Sequence, residues 1–143
     1  MAFEISKSFG ILEKSLHYRK IRQDMIASNI ANADTPYYRP KDIRFEEALQ
    51  AEVDKKFNIR KVPKLELAKT APGHMSAPDE TSESKPIVFY RDGHLARNDG
   101  NSVDIDVETT EMAKNNIAYN AAIQALRKDI DIFKAVLDSS KNI

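Results

Sequence analysis

Cysteine is absent from this 143-residue chain, which excludes disulfides and thiolate metal ligands. The same absence suits an oxidising compartment and a reducing one equally, so it does not assign a location. Charge of one sign is missing too: 22 Lys and Arg balance 22 Asp and Glu, interspersed along the chain. No basic field exists to recruit nucleic acid or insert at an anionic membrane. No run of 18 apolar residues occurs, which excludes a helix spanning a bilayer. The opening Met1-Ala2-Phe3-Glu4-Ile5-Ser6-Lys7 has neither a basic n-region nor an unbroken apolar h-region. A soluble protein is expected, one that leaves the cell without a cleaved signal peptide if it is exported. At 41% apolar and 31% charged residues, the chain can support a small core but not a large one.

The catalytic signatures are missing as well. There is no GxGxxG, no P-loop, no HExxH pair and no GxSxG elbow. The histidines are His17, His74 and His94, and none has a second histidine at ligand spacing on a helix. A metal site would need His94 to meet the carboxylates of Asp99, Asp104, Asp106 and Glu108. Acidic residues before and inside a helix N-terminus are already explained by capping and the helix dipole. No catalytic, cofactor-binding or metal-ligating residue is assigned.

What the chain does have is an apolar seam at each end. Near the N-terminus it runs Ile5, Phe9, Leu12, Leu16, Arg19, Gln23, Ile26, Ile30. Near the C-terminus it runs Ile105, Thr109, Met112, Asn116, Tyr119, Ile123, Leu126, Ile130, Phe133, Leu137. Alternating steps of three and four keep one stripe of a helix facing a partner. Neither stripe is wide enough to enclose a globular core, so the two helices need each other or neighbouring copies. The spacing predicts a mainly α protein: long N- and C-terminal helices forming a coiled coil, and an irregular middle with a short helix and a β-hairpin. The division is 1–36, 37–101 and 102–143.

Local signals set the element boundaries. The first helix is expected over residues 6–33 and stops at Thr35-Pro36, because proline disfavours helical geometry in the residue before it. A shorter helix is expected over 42–57, with Asp42 as N-cap and Glu46 and Glu47 in its first turn. From about 58 to 86, Pro63, Pro72, Pro78 and Pro86 interrupt every periodicity, and the segment reads as a loop. Ile87-Val88-Phe89-Tyr90 is β-prone, and the Asp92-Gly93 turn would return the chain through His94-Leu95-Ala96-Arg97 as a hairpin. The last helix should start near Asp104 or Asp106, either of which is a good N-cap.

The end of the first helix carries a further signal, Ala27-Ser28-Asn29-Ile30-Ala31-Asn32-Ala33-Asp34-Thr35-Pro36. Asn29 and Asn32, three apart, place two amides on one face, where each donates and accepts. Such a face suits another helix end from a neighbouring subunit. The alternative is an ordinary helix cap followed by a turn.

Ala31-Asn32-Ala33-Asp34-Thr35-Pro36, with an aromatic and a basic residue following, resembles the "A-N-x-x-T-P-G-Y/F" signature of the flagellar basal-body rod and hook family. Asp99-Gly100-Asn101-Ser102-Val103-Asp104-Ile105-Asp106-Val107-Glu108, continuing to Asn115 and to Tyr119-Asn120-Ala121-Ala122, is similar to its "G-N-x-V-D-x-D-x-E…A-x-N…Y-x-A-A". The resemblance covers about residues 1–45 and 99–143, and the small size places it with the proximal end of the rod. Tyr37 stands where the family usually has glycine, and tyrosine tolerates left-handed backbone poorly.

The resemblance implies a structural subunit whose terminal helices pack with neighbours into a helical tube that transmits torque and encloses the export channel. It implies export through the flagellar type III apparatus and a place in the periplasmic rod. The implied partners are further copies, other rod subunits, a basal adaptor, the membrane ring and the export gate. Two rivals have different requirements. A soluble coiled-coil adaptor or export chaperone would fold as a discrete dimer, and a small metal-dependent hydrolase would need His94 and the nearby aspartates to converge.

Overall fold

The computed structural model describes residues 6–58, 85–91 and 97–140. In chain order the elements are α1 (Phe9–Ala31), β1 (Lys41–Arg44), α2 (Glu46–Phe57), β2 (Ile87–Tyr90) and α3 (Ile105–Ser140). The fold is mainly α, with a long helix from each end of the chain, a short middle helix and a two-stranded antiparallel sheet.

Helices α1 and α3 are antiparallel. Ser8 Oγ donates to Asp129 Oδ2 at 2.6 Å at one end, and Asn29 Nδ2 donates to Glu108 Oε2 at 3.2 Å at the other. Between them, Asn115 Nδ2 donates to Arg19 O and to Gln23 Oε1, a polar layer that fixes register within the apolar seam. On α1 every seam position from Phe9 to Ile30 is half-buried or buried, Ile26 completely. On α3, Met112, Tyr119, Ile123, Leu126, Ile130 and Phe133 are half-buried, whereas Ile105, Thr109, Asn116 and Leu137 are exposed. The inward stripe of α3 begins instead through Glu108, Met112 and Asn115, because the clasp below draws Glu108 inward. Leu137 lies past the level of Ser8, beyond the described part of its partner helix. Ile5 lies outside the described residues.

Three local expectations differ from the structure. Helix α1 ends at Ala31 rather than 33, because Asn32 turns its side chain back on the helix: Nδ2 donates to Ser28 O, and Oδ1 accepts from Thr35 Oγ1. The helix expected over 42–57 begins at Glu46. Residues 41–44 are a strand, and Asp42 is no N-cap but is buried against two arginines. The β-prone segment Ile87–Tyr90 does form a strand, but its partner is Lys41–Arg44, 46 positions earlier, in the register Lys41↔Tyr90 to Arg44↔Ile87. Of the expected return strand only Arg97 is described, and it is not in a strand; His94 to Ala96 lie outside the described residues. The start of α3 agrees with expectation, since Asp104 Oδ1 accepts from the N–H groups of Asp106 and Val107 as an N-cap does.

Helix α2 leans on α1 through Lys14 and Glu52, 3.0 Å apart, and through Phe45, which packs beneath Tyr18 and Arg19. Among the described residues, Ile26, Ala33, Ile43, Phe45 and Val103 are the buried hydrophobic side chains. They gather where α1 ends, β1 begins and α3 is entered, so the small core sits at one end of the helical pair.

Candidate functional site

That end is a clasp made from segments far apart in sequence. Helix α1 leaves unsatisfied carbonyls at its C-terminus, as every helix does. Those of Ser28, Asn29 and Ile30 accept from the N–H groups of Asn32 and Ala33, and Asn101, 1% exposed, holds the turn that follows: its Nδ2 lies 2.8–2.9 Å from the carbonyls of Asn32, Ala33 and Thr35. Its Oδ1 accepts from Val103 N at 2.7 Å, which bends the chain into α3. Arg97 Nη1 also donates to Ala33 O. The loops are then joined by backbone bonds, Tyr37 N to Asp99 O and Ser102 N to Tyr38 O. The two sequence signals at opposite ends of the chain are therefore one structural unit.

Tyr37 adopts φ 58°, left-handed despite its side chain. That overturns the expectation drawn from its residue type, and the packing explains it. The Tyr37 ring lies over Gly100, itself at φ 72°. The bond to Asp99 and this stacking hold a conformation that costs roughly 1–2 kcal/mol for a non-glycine residue.

Beneath the loops lies a buried ionic cluster. Arg22 grips Asp42 with two bonds of 2.9 Å, Nε to Oδ1 and Nη2 to Oδ2, and its Nη2 reaches Glu111 at 3.1 Å. Arg91, directly after β2, donates to Asp42 Oδ2 and to Glu108 Oε1, both at 2.9 Å. Glu108 is 1% exposed and also accepts from Asn29. One cluster thus ties α1, β1, β2 and α3 together. Burial raises the Asp42 carboxyl, but hydrogen bonds from Arg22, the Ile43 N–H and Arg91 outweigh it, so the group ends below the usual aspartate range. For Glu108 burial wins, and its carboxyl ends above the ordinary value although Asn29 and Arg91 pull the other way. A buried pair must be fully satisfied to hold, and here each carboxylate has at least two donors.

Asn29 works inside the chain. Its carboxamide makes both backbone bonds to Lys41, Oδ1 accepting from N at 3.0 Å and Nδ2 donating to O at 2.9 Å, as a neighbouring strand would. Asn32 is a local cap, and Thr35, Pro36 and Asp106 are exposed around the clasp. Sequence reading missed Arg22, Asp42, Arg91 and Asn101. Only Asn101 had a signal, its place in the second motif. His17 is exposed on α1, and among the described residues no group of three His, Asp or Glu side chains is placed to hold a metal. No helix of the described residues is long and apolar enough to cross a membrane.

An antiparallel helical pair drawn from the two ends of the chain and clasped by buried polar groups defines a structural, helix-assembly class of protein. The family model for "Flagella basal body rod protein" matches residues 16–39, most of α1 and the turn after it. The chain is 35% identical over 130 residues to the flagellar basal body rod protein FlgB of Bacillus subtilis, covering 91% of this chain and 92% of that protein. It is 34% identical over 139 residues to FlgB of Escherichia coli K12, covering 97% and 99%, and 32% identical over 132 residues to FlgB of Aeromonas hydrophila, covering 91% and 92%. The chain belongs to the FlgB family of flagellar basal body rod proteins.

Proposed function

We propose that the chain is a structural subunit of the proximal rod, packing its helical pair against further copies and other rod subunits in a helical tube that transmits torque and leaves an axial channel open. Its work is mechanical, without a catalytic role. The single observation that carries this reading is the outer side of α3. Ile117 (71% exposed), Ile132 and Val136 stand on the solvent side of a helix about 54 Å long. They fall within roughly a third of its circumference at 3.6 residues per turn. A second apolar stripe outside an already paired seam is what a heterologous, non-closing assembly requires, since each subunit needs two different faces.

In this reading residues 1–36 and 102–143 form the wall of the tube, with Phe9, Leu12, Leu16, Ile26, Ile30, Met112, Tyr119, Ile123, Leu126, Ile130 and Phe133 holding the pair. Leu137, exposed in the single chain, continues the same spacing towards a neighbouring copy, and the middle segment is assigned to the outer side of the tube. The subunit resides in the periplasmic rod and meets the basal adaptor, the membrane ring and the export gate. It neither binds nucleic acid nor inserts in the membrane. The test is a double substitution, Ile132→Lys with Val136→Lys, in a strain lacking the chromosomal copy. Unchanged helicity of the purified protein with loss of swimming and of rods in isolated basal bodies is expected; wild-type swimming would reject the outer-stripe contact.

A further inference from the structure

The two-stranded sheet has one closed edge and one open edge. Arg91 N donates to Pro40 O at 2.9 Å, so in this antiparallel register residues 87 and 89 also face β1, and the backbone groups of Val88 and Tyr90 point away from it. On the far side of β1 the corresponding groups are occupied: Asn29 takes both backbone groups of Lys41, and Asp42 Oδ1 accepts from Ile43 N. Among the described residues, none covers strand β2 in this way. It is the outer strand of a two-stranded sheet, and Val88 and Tyr90 are each 53% exposed.

The side chains around this edge are cationic. On one face Arg39 and Lys41 lie over the Tyr90 ring, 5.2 and 5.5 Å from its centroid. On the other, Arg44 lies over Phe89 at 5.2 Å. Among the described residues, no carboxylate forms an ion pair with Lys41 or Arg44. The chain as a whole is neutral, so this is a local concentration of charge beside an exposed strand.

We propose that β2 is a docking edge for an extended, acidic segment of a partner polypeptide, which adds a third strand through Val88 and Tyr90 and sets its carboxylates against Lys41 and Arg44. An unpaired edge with alternating N–H and C=O groups is complemented by another backbone, and strand addition is a standard mode of peptide recognition. The flanking cations choose the sign of the guest. They also disfavour pairing of two copies edge to edge, because Lys41 and Arg44 would approach their own counterparts.

The experiment titrates the full-length protein into a fluorescein-labelled hexapeptide of alternating glutamate and valine, read by anisotropy. A lysine–valine hexapeptide and a glutamate–valine hexapeptide N-methylated at alternate residues are the controls. Saturable binding of the acidic peptide is expected, at least about tenfold tighter than either control, because strand addition uses the guest's N–H groups and the cations reject lysine. Lys41→Glu with Arg44→Glu should weaken it at least about tenfold. Val88→Pro should do the same with unchanged circular dichroism, since that N–H points away from β1. Equal binding of the N-methylated peptide or of the lysine peptide overturns the proposal, as does binding of anionic vesicles that competes with the peptide and is unaffected by Val88→Pro. The N-methylated control leaves the protein unaltered, so the test stands even where Val88→Pro lowers helicity.

Discussion

The Tyr37 ring covers Gly100 so closely that a Cβ built on residue 100 would stand 2.6 Å from Tyr37 Cδ1. Both residues have positive φ, and each holds the other's loop in place. Gly100→Ala adds a methyl group where there is no space and a side chain where the backbone disfavours one, and should cost about 1–3 kcal/mol in urea unfolding. Tyr37→Gly removes the obstructing ring and suits the backbone at 37, so it should recover part of that loss in the double variant. Simple additivity of the two substitutions would show that the ring contact is not what confines residue 100.

Asn29 and Asn32, three residues apart, should respond very differently to leucine. Asn29→Leu strands the Lys41 N–H and C=O and removes one donor from the buried Glu108 carboxylate. The expected loss is roughly 3 kcal/mol, since each buried group left unpaired costs about 1–3 kcal/mol. Asn32→Leu removes only a local cap at the half-exposed end of α1 and should cost roughly 1 kcal/mol. Thermal unfolding of the two single variants checks this, and equal shifts would contradict the inward role of Asn29.

The ionic cluster predicts the acid limb of stability. Asp42 is held below the ordinary aspartate value, so it binds fewer protons in the folded state than in the unfolded one. Its contribution is complete above the ordinary value and is lost as pH falls towards the lowered one. Glu108 is raised and acts in the opposite sense: its charged form is disfavoured by folding, and that penalty lifts as pH falls from the raised value to the ordinary glutamate value. Unfolding followed from neutral to strongly acidic pH should therefore show Glu108 offsetting part of the loss at mild acidity, with the steeper fall below the ordinary aspartate range. Asp42→Asn should lower stability at neutral pH and flatten that final fall.

Position on α3 decides what a charge does. Leu126→Lys places an ammonium in the half-buried seam facing α1, where burial without a partner costs about 1–3 kcal/mol, and helicity and swimming should both fall. Ile117→Lys lies on the exposed side and should leave unfolding within about 0.5 kcal/mol of wild type. Matching stability losses in the two variants would mean that the stripe facing α1 has been misassigned.

Signals carried by residues three or four apart were legible without a structure. The two long helices, the short middle helix and the Asp104 cap all follow from the sequence by itself, because each depends on neighbours in the chain. The clasp does not. Residues 42–44 read as the start of a helix, yet Arg22 and Arg91 draw Asp42 into a strand, and β2 finds its partner on the far side of α2 in the sequence rather than across a turn. Asn29 reads as a surface amide until Lys41 arrives beside it, and Tyr37 reads as unfit for left-handed backbone until Gly100 accepts its ring. Those choices belonged to the tertiary structure, since a charge or a carboxamide has no preferred partner until folding removes water from around it and makes any unpaired polar group costly.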